Sequence, residues 1–191
     1  FVFPIDFIQK LFFSFSFLVI ILGGRKIISN FTDNKIIIFI ASLFFLFNPF
    51  VYDRAMYGQS GIILAFGLLC LAVGFLVEYL NKQDNKQILL AGLFSGLAIQ
   101  IATHFLFLVA VFYALLILVL FFSKINKVNR YIFLKSLFLS LAIIFFLNVN
   151  WILAGFIGKS KLGQFVDSGI TTTDLSAFQT SGSTGGEALK N

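Results

Sequence analysis

Ser60-Gly61-Ile62-Ile63-Leu64-Ala65-Phe66-Gly67-Leu68-Leu69-Cys70-Leu71-Ala72-Val73-Gly74-Phe75-Leu76-Val77 runs for 18 residues without one charged side chain. Coiled at about 1.5 Å per residue, the stretch is roughly 27 Å long. That is close to the roughly 30 Å hydrocarbon thickness of a bilayer. No polar stripe recurs along it to face water. A helix apolar all round belongs in lipid or in the middle of a large core.

The rest of the chain decides for lipid. Of 191 residues, 59% are hydrophobic, 12% are charged and 28 are Phe, with a mean hydropathy of +1.00. An ordinary soluble domain carries about 25% charged residues. A water-soluble chain of this size would leave about 30% of its surface exposed, too much for this side-chain content. Six apolar segments are expected to cross: Ile5–Leu22, Lys35–Phe50, Ser60–Val77, Ile88–Ile101, Phe105–Phe122 and Tyr131–Asn148. The fourth and fifth form one apolar run, Ile88–Phe122, too long for a single crossing. Gln100, Thr103 and His104 mark the expected turn of a helical hairpin with a short fourth helix. The fold class is therefore all-α, a polytopic transmembrane bundle of about six spans.

Residues 1–158 are expected to form the bundle, and 159–191, rich in Gly, Ser and Thr, an extracytoplasmic loop or a flexible tail. The chain opens on Phe1, which fits a piece of a larger membrane domain. Asp6 and Lys10 interrupt the first apolar run and no small-residue cleavage site follows, so it does not read as a signal peptide. Cys70 is the single cysteine and has no partner in this chain for a disulfide.

Basic residues set the expected orientation. With the N-terminus outside, the inward loops hold Arg25, Lys26, Lys35, Lys82, Lys86, Lys124, Lys127, Arg130 and Lys135. On the other side only Arg54 lies in a short loop. Short cytoplasmic loops collect Lys and Arg, and Tyr and Trp collect at both interfaces. Tyr79 and Tyr131 fall at the inner level, and Tyr52, Tyr57 and Trp151 at the outer one. Both ends of the chain are thus expected outside a prokaryotic plasma membrane. The net charge of +6 is a topology signal. It offers no basic face for a nucleic acid, which is not expected as a partner.

Two sequence matches carry no function. Asn30-Phe31-Thr32 fits a glycosylation sequon but falls on the cytoplasmic side. Gly155-Phe156-Ile157-Gly158-Lys159-Ser160 lacks both the first glycine and the preceding strand of a phosphate loop. Gly92-Leu93-Phe94-Ser95-Gly96 is a small-xxx-small pattern that lets helices approach closely, here within the bundle.

Polar chemistry gathers at the outer level. Asn48-Pro49-Phe50-Val51-Tyr52-Asp53-Arg54-Ala55-Met56-Tyr57-Gly58-Gln59-Ser60-Gly61 reads as a polar loop, with Pro49 ending one helix and Ser60 capping the next. Asp53 suits a divalent cation or an acceptor group, and Arg54 suits a phosphate, which its forked guanidinium can hold by two bonds. The plain alternative is an Asp53–Arg54 ion pair between two interface tyrosines. His104, the single histidine, is either a substrate ligand or a hydrogen-bonded turn residue. No second histidine stands at a zinc-binding spacing. Asn148, Asn150 and Trp151 are expected to close the last helix at the same face.

Asn48-Pro49-Phe50-Val51-Tyr52-Asp53-Arg54, followed by Gly58-Gln59 and a long apolar helix, resembles a group of prokaryotic membrane proteins. So do Asn148-Val149-Asn150-Trp151 and Asp174-Leu175-Ser176-Ala177-Phe178-Gln179-Thr180. The group looks like members of the GT-C superfamily, polytopic glycosyltransferases that use polyprenyl-phosphate-linked sugars. The resemblance implies transfer of a sugar from such a donor to an acceptor at the outer membrane face. It makes Asp53 a catalytic and metal-binding acid, with Mg or Mn as the implied cation. Arg54, Tyr57, Gln59, His104 and Asn150 become substrate-binding residues, and membrane lipid and the donor the partners. No DxD or Asp-Glu pair is present, so the principal catalytic carboxylate is expected upstream of Phe1. A lipid-linked saccharide transporter, or a non-catalytic membrane subunit, is the alternative. The near absence of charge from the span centres argues against ion-coupled transport.

Overall fold

The computed structural model describes residues 5–122 and 130–157. Seven helices and no strand occur among them: α1 Ile5–Ile28, α2 Lys35–Leu46, α3 Pro49–Met56, α4 Ser60–Lys82, α5 Asn85–Ile101, α6 Phe105–Phe122 and α7 Arg130–Ile157. The chain divides into two compact units, Phe1–Asn148 and Val149–Asn191. The second is described only over residues 149–157, where it is helical. The tail expected over 159–191 lies outside the described residues.

Three of the helices, Phe7–Ile28, Ser60–Lys82 and Phe133–Leu153 by their apolar stretches, are long and apolar enough to cross a membrane. The α2–α3 pair together is apolar enough for a fourth, but it is bent by 43°. Local chemistry sets the helix starts. The Asn34 side chain accepts from the Ile36 and Ile37 amides at α2, and Asp84 accepts from the Lys86 amide at 3.0 Å at α5. Each meets backbone donors that the first helical turn leaves without a partner. The run Ile88–Phe122 breaks as expected, with Ala102-Thr103-His104 between α5 and α6.

In the first unit, helix directions follow from close contacts. A side chain on Gly67 would sit 2.9 Å from the Ile20 amide, and one on Gly74 would meet Lys26 and Ile27. Rising numbers on α1 thus pair with rising numbers on α4, so the two helices are parallel. The same holds for α5 and α7. Ser136 donates to Asn85, Ser140 to the Ile88 carbonyl, and Asn148 to the Gly96 carbonyl. Gly92 is the pinch point, where an added methyl would lie 2.8 Å from the Ser140 carbonyl oxygen. The small-xxx-small segment therefore packs α5 against α7 within the bundle. α4 and α5 are antiparallel, with stacked Phe75 and Phe94 rings 5.5 Å apart.

Parallel α1 and α4 constrain what lies between them. α1 ends beside the end of α4, since Asn30 donates to the Gly74 carbonyl and Asn81 to the Asn30 carbonyl. The chain must then return the whole length of α4 before Ser60. α2 and α3 make that return as one broken passage. The Asn30 amide is occupied on both sides, by the Lys26 and Gly74 carbonyls, which explains the sequon residue structurally.

Several expected boundaries are corrected. The expected loop after Pro49 is helix α3. Pro49 starts that helix instead of merely ending α2, because Asn48 accepts from the Val51 amide at 2.9 Å and proline suits the first helical position. Ser60 is the first residue of α4, not its cap. Gln59 holds the cap position without a side-chain bond. α1 continues six residues past Leu22, through Arg25 and Lys26. α7 continues past Asn148 to Ile157, so Asn148 is a buried mid-helix residue, bonded to the Gly96 and Ile144 carbonyls.

Candidate functional site

The polar residues of the Asn48–Gly61 segment ride on α3. Val51, on its inner face, is buried against Ile20 of α1 and Ile63 of α4, with Phe17, Leu46 and Ala55 around them. That apolar anchor turns the opposite side outward. Tyr52, Met56 and Tyr57 are exposed, and the Asp53 side chain is 52% exposed. Phe50 lies tilted against Phe66 of α4, with ring centroids 5.3 Å apart.

Arg54 is half-buried and held from three directions. Its Nη1 donates to Gln59 Oε1 at 2.8 Å, and its Nε lies 3.7 Å from Asp53 Oδ2. Its guanidinium carbon stands 5.5 Å from the Phe50 ring centroid, within cation–π range. The 3.7 Å contact is an ion pair too long for a hydrogen bond. The buried Nε has no hydrogen-bond partner among the described residues. A guanidinium carries five N–H donors. One is committed to Gln59, which leaves capacity for an anion. Part of the plain alternative is therefore present, an Asp53–Arg54 pair, but it does not use up the arginine.

Gly61 faces Ile101 at 3.6 Å, so the start of α4 and the end of α5 share one end of the bundle. α3 and the α5–α6 turn accordingly lie at the same end. His104 is exposed in that turn, its ring 4.7 Å from that of Phe105. Among the described residues no hydrogen bond or ion pair joins His104 to α3, so they share an end without forming one cluster. Tyr57 follows α3 with its side chain exposed. Asn150 lies in the second unit, exposed on α7.

Among the described residues no three His, Cys, Asp or Glu side chains are grouped to hold a metal ion. Asp53 alone would supply a single carboxylate.

At the elbow of α2 and α3 lies an open groove with a volume of about 500 Å³. Phe17 of α1, Leu46 and Phe47 from the end of α2, and Pro49, Val51, Tyr52 and Ala55 line it. It is not legible in the sequence, because it exists only where α2 bends away and Phe17 of α1 stands behind the break.

A second polar cluster was also missed. At the opposite end of α4, Glu78 is buried between Lys26 of α1 and Lys82 of its own helix. Lys82 Nζ lies 2.6 Å from Glu78 Oε1, and Lys26, paired with Oε2, also stands 4.4 Å over the Phe75 ring. The i,i+4 spacing of Glu78 and Lys82 was readable. The Lys26 partner depends on the parallel packing of α1 and α4.

The chain matches the family model of a domain of unknown function, DUF6311, over residues 8–190, and it belongs to that family. No curated protein and no solved structure matches it.

Proposed function

We propose that this member of the DUF6311 family is a GT-C-like membrane glycosyltransferase. It transfers a sugar from a polyprenyl-phosphate-linked donor to an acceptor at the extracytoplasmic membrane face. The observation that carries the reading is the α3 end of the bundle. There a carboxylate and an arginine with spare donors stand on α3, which also lines an open apolar groove with Val51, Tyr52 and Ala55. A lipid-linked substrate needs both halves, a polar contact for its head and an apolar seat for its chain.

The proposed topology has six crossings, by α1, the broken α2–α3 pair, α4, α5, α6 and α7, in an integral membrane protein with both ends of the chain outside. The parallel pairs α1–α4 and α5–α7 support it, since crossings separated by an even number of steps must run the same way.

In the reaction, the acceptor hydroxyl attacks the anomeric carbon of the donor sugar. The bond from that carbon to the phosphate oxygen breaks, and polyprenyl phosphate leaves. Arg54 stabilises the charge that grows on the departing phosphate, which is where fixed donors lower a barrier most. Asp53 orients the acceptor hydroxyl, whose proton passes to the principal catalytic carboxylate. The ion pair of Asp53 with Arg54 loosens as the phosphate claims the guanidinium. Gln59 holds Arg54 in place, and Tyr57 and His104 offer further contacts at the same end. A Mg or Mn ion at Asp53 would draw its other ligands from phosphate and water, as such ions commonly do, and would add charge neutralisation.

Asp53→Asn preserves shape and removes charge, and Arg54→Lys preserves charge and removes the fork. In the full-length protein both are expected to lower transfer from a polyprenyl-phosphate sugar by about tenfold or more, about 1.4 kcal/mol. Membrane insertion and protein level should stay unchanged. Full transfer in both variants would reduce α3 to a surface helix with a local ion pair.

A further inference from the structure

We propose that the inner end of α1 binds an anionic phospholipid, with its phosphate on Arg25 and an acyl chain along Leu22, Leu18 and Phe15. The site lies at the end of the bundle opposite α3, in the cytoplasmic leaflet of the proposed topology. It rests on the chain's place in a bilayer and on nothing in the transferase reading.

Helix geometry brings these residues onto one line. Leu11, Phe15, Leu18, Leu22 and Arg25 follow one another at steps of four, three, four and three. That spacing stacks side chains along one face of a helix. All five are exposed, the four apolar ones between 43% and 61%. The opposite face of α1 is the packed one, where Ile20 is fully buried and Gly23 meets Cys70 of α4. The stripe is therefore turned to lipid, and it ends in a guanidinium.

Arg25 and Lys26 are neighbours in sequence and are used differently. Lys26 turns to Glu78 and lies over the Phe75 ring. The Arg25 side chain makes no ion pair or hydrogen bond among the described residues. Asp33, in the loop after α1, is exposed and pairs with neither.

Depth decides what that guanidinium meets. Gly74 abuts Lys26 and Ile27, so Arg25 stands level with about Ala72 and Val73. That is roughly 8 Å short of Glu78 at 1.5 Å per residue. Glu78 and its lysines mark where α4 becomes charged. A basic side chain rooted inside hydrocarbon extends along the helix until its charge reaches the head groups. A lipid phosphate there accepts two parallel bonds from the guanidinium fork. Leu22, one turn earlier, and Leu18 then meet the acyl chain of the same lipid.

The surrounding charge selects an anionic lipid over a zwitterionic one. Lys35, Lys82 and Lys86 are exposed at this end with Arg25, against exposed Asp33 and Asp84. An anionic head answers that surplus, whereas a choline head brings a cation of its own.

Native mass spectrometry of the full-length protein, released from dodecyl maltoside, compares dioleoyl phosphatidylglycerol with dioleoyl phosphatidylcholine. Phosphatidylglycerol is expected to bind at least about tenfold more tightly. Arg25→Gln should weaken it about fivefold, the effect of one base beside a lipid surface, and leave phosphatidylcholine unchanged. Lys86→Gln removes another exposed base from the same end, on α5, and should change phosphatidylglycerol binding by less than about twofold. Both side chains are exposed, so neither change endangers folding. A diazirine on the acyl chain of phosphatidylglycerol should cross-link within residues 11–25. Equal binding of the two lipids, a loss from Lys86→Gln as large as that from Arg25→Gln, or cross-links centred away from α1 would each overturn the site. No sugar donor enters the measurement, so failure here leaves the transferase reading standing.

Discussion

The two polar clusters of the first unit, at opposite ends of α4, solve opposite problems. At one end Glu78 keeps only 8% of its side chain exposed, and each carboxylate oxygen meets a lysine. Lys26 is further occupied by the Phe75 ring. At the other end Asp53 is half exposed, and Arg54 spends one hydrogen bond on Gln59 and keeps donors over. A saturated, buried ion cluster ties helices together. An unsaturated one beside an open groove has capacity for something else. The difference separates a packing device from a candidate site better than residue type does, because both clusters combine carboxylate and cation.

The sharpest way to break the comparison is topological. With Cys70 replaced by alanine, a membrane-impermeant thiol reagent added from outside should modify Asp53→Cys and leave Lys86→Cys untouched, an all-or-none contrast. Both positions are exposed, so access depends on the side of the membrane. The reverse pattern would invert the orientation and remove α3 from the outer face.

Next in size is Glu78→Ala. Removing one partner of a buried pair strands the other charge, and a loss of about 3 kcal/mol is expected, the low end for such a change because Lys82 reaches solvent. Denaturant unfolding in detergent would measure it. Replacing Lys26, Glu78 and Lys82 together by Met, Leu and Met should restore most of the loss, as apolar substitutes often do for buried ion clusters. A triple variant as unstable as the single one would mean that the cluster does more than pack.

The smallest effects distinguish the exposed members. Lys82→Ala should cost far less than Glu78→Ala, since its side chain is 66% exposed and its pair is an i,i+4 helix contact. Asp53→Asn should change stability by less than about 0.5 kcal/mol, the usual range for surface substitutions. A large stability loss from Asp53→Asn would make α3 a structural cluster like that of Glu78, and erase the contrast.

Particular residues show how far the sequence could be read. The break at Ala102–His104 was legible because Ile88–Phe122 is too long for one crossing and carries polar residues at its middle. α3 was not legible. Proline ends a preceding helix and equally begins a following one, and only the bond from the Val51 amide to Asn48 decides between them. The ends of α1 and α7 lie beyond the expected ones because polar and basic residues do not by themselves stop a helix. Arg25 and Lys26 instead complete the last turn of α1, where positive charge suits the helix dipole. Asn148 stays helical because its amide finds the Gly96 carbonyl on α5.

By itself the sequence determined the class of the molecule, apolar helices of membrane-crossing length, and the presence of Asp53 and Arg54 beside a proline break. Those properties are local. They follow from side-chain hydrophobicity, helix rise and the geometry of proline, and need no knowledge of neighbours. Only the tertiary structure decided that α1 runs parallel to α4, that Lys26 closes on Glu78, and that Phe17 backs a groove at the α2–α3 elbow. Each of these joins residues more than twenty positions apart. Their contact depends on which small residues let two helices touch, and a single chain of letters leaves many such pairings open until packing selects one.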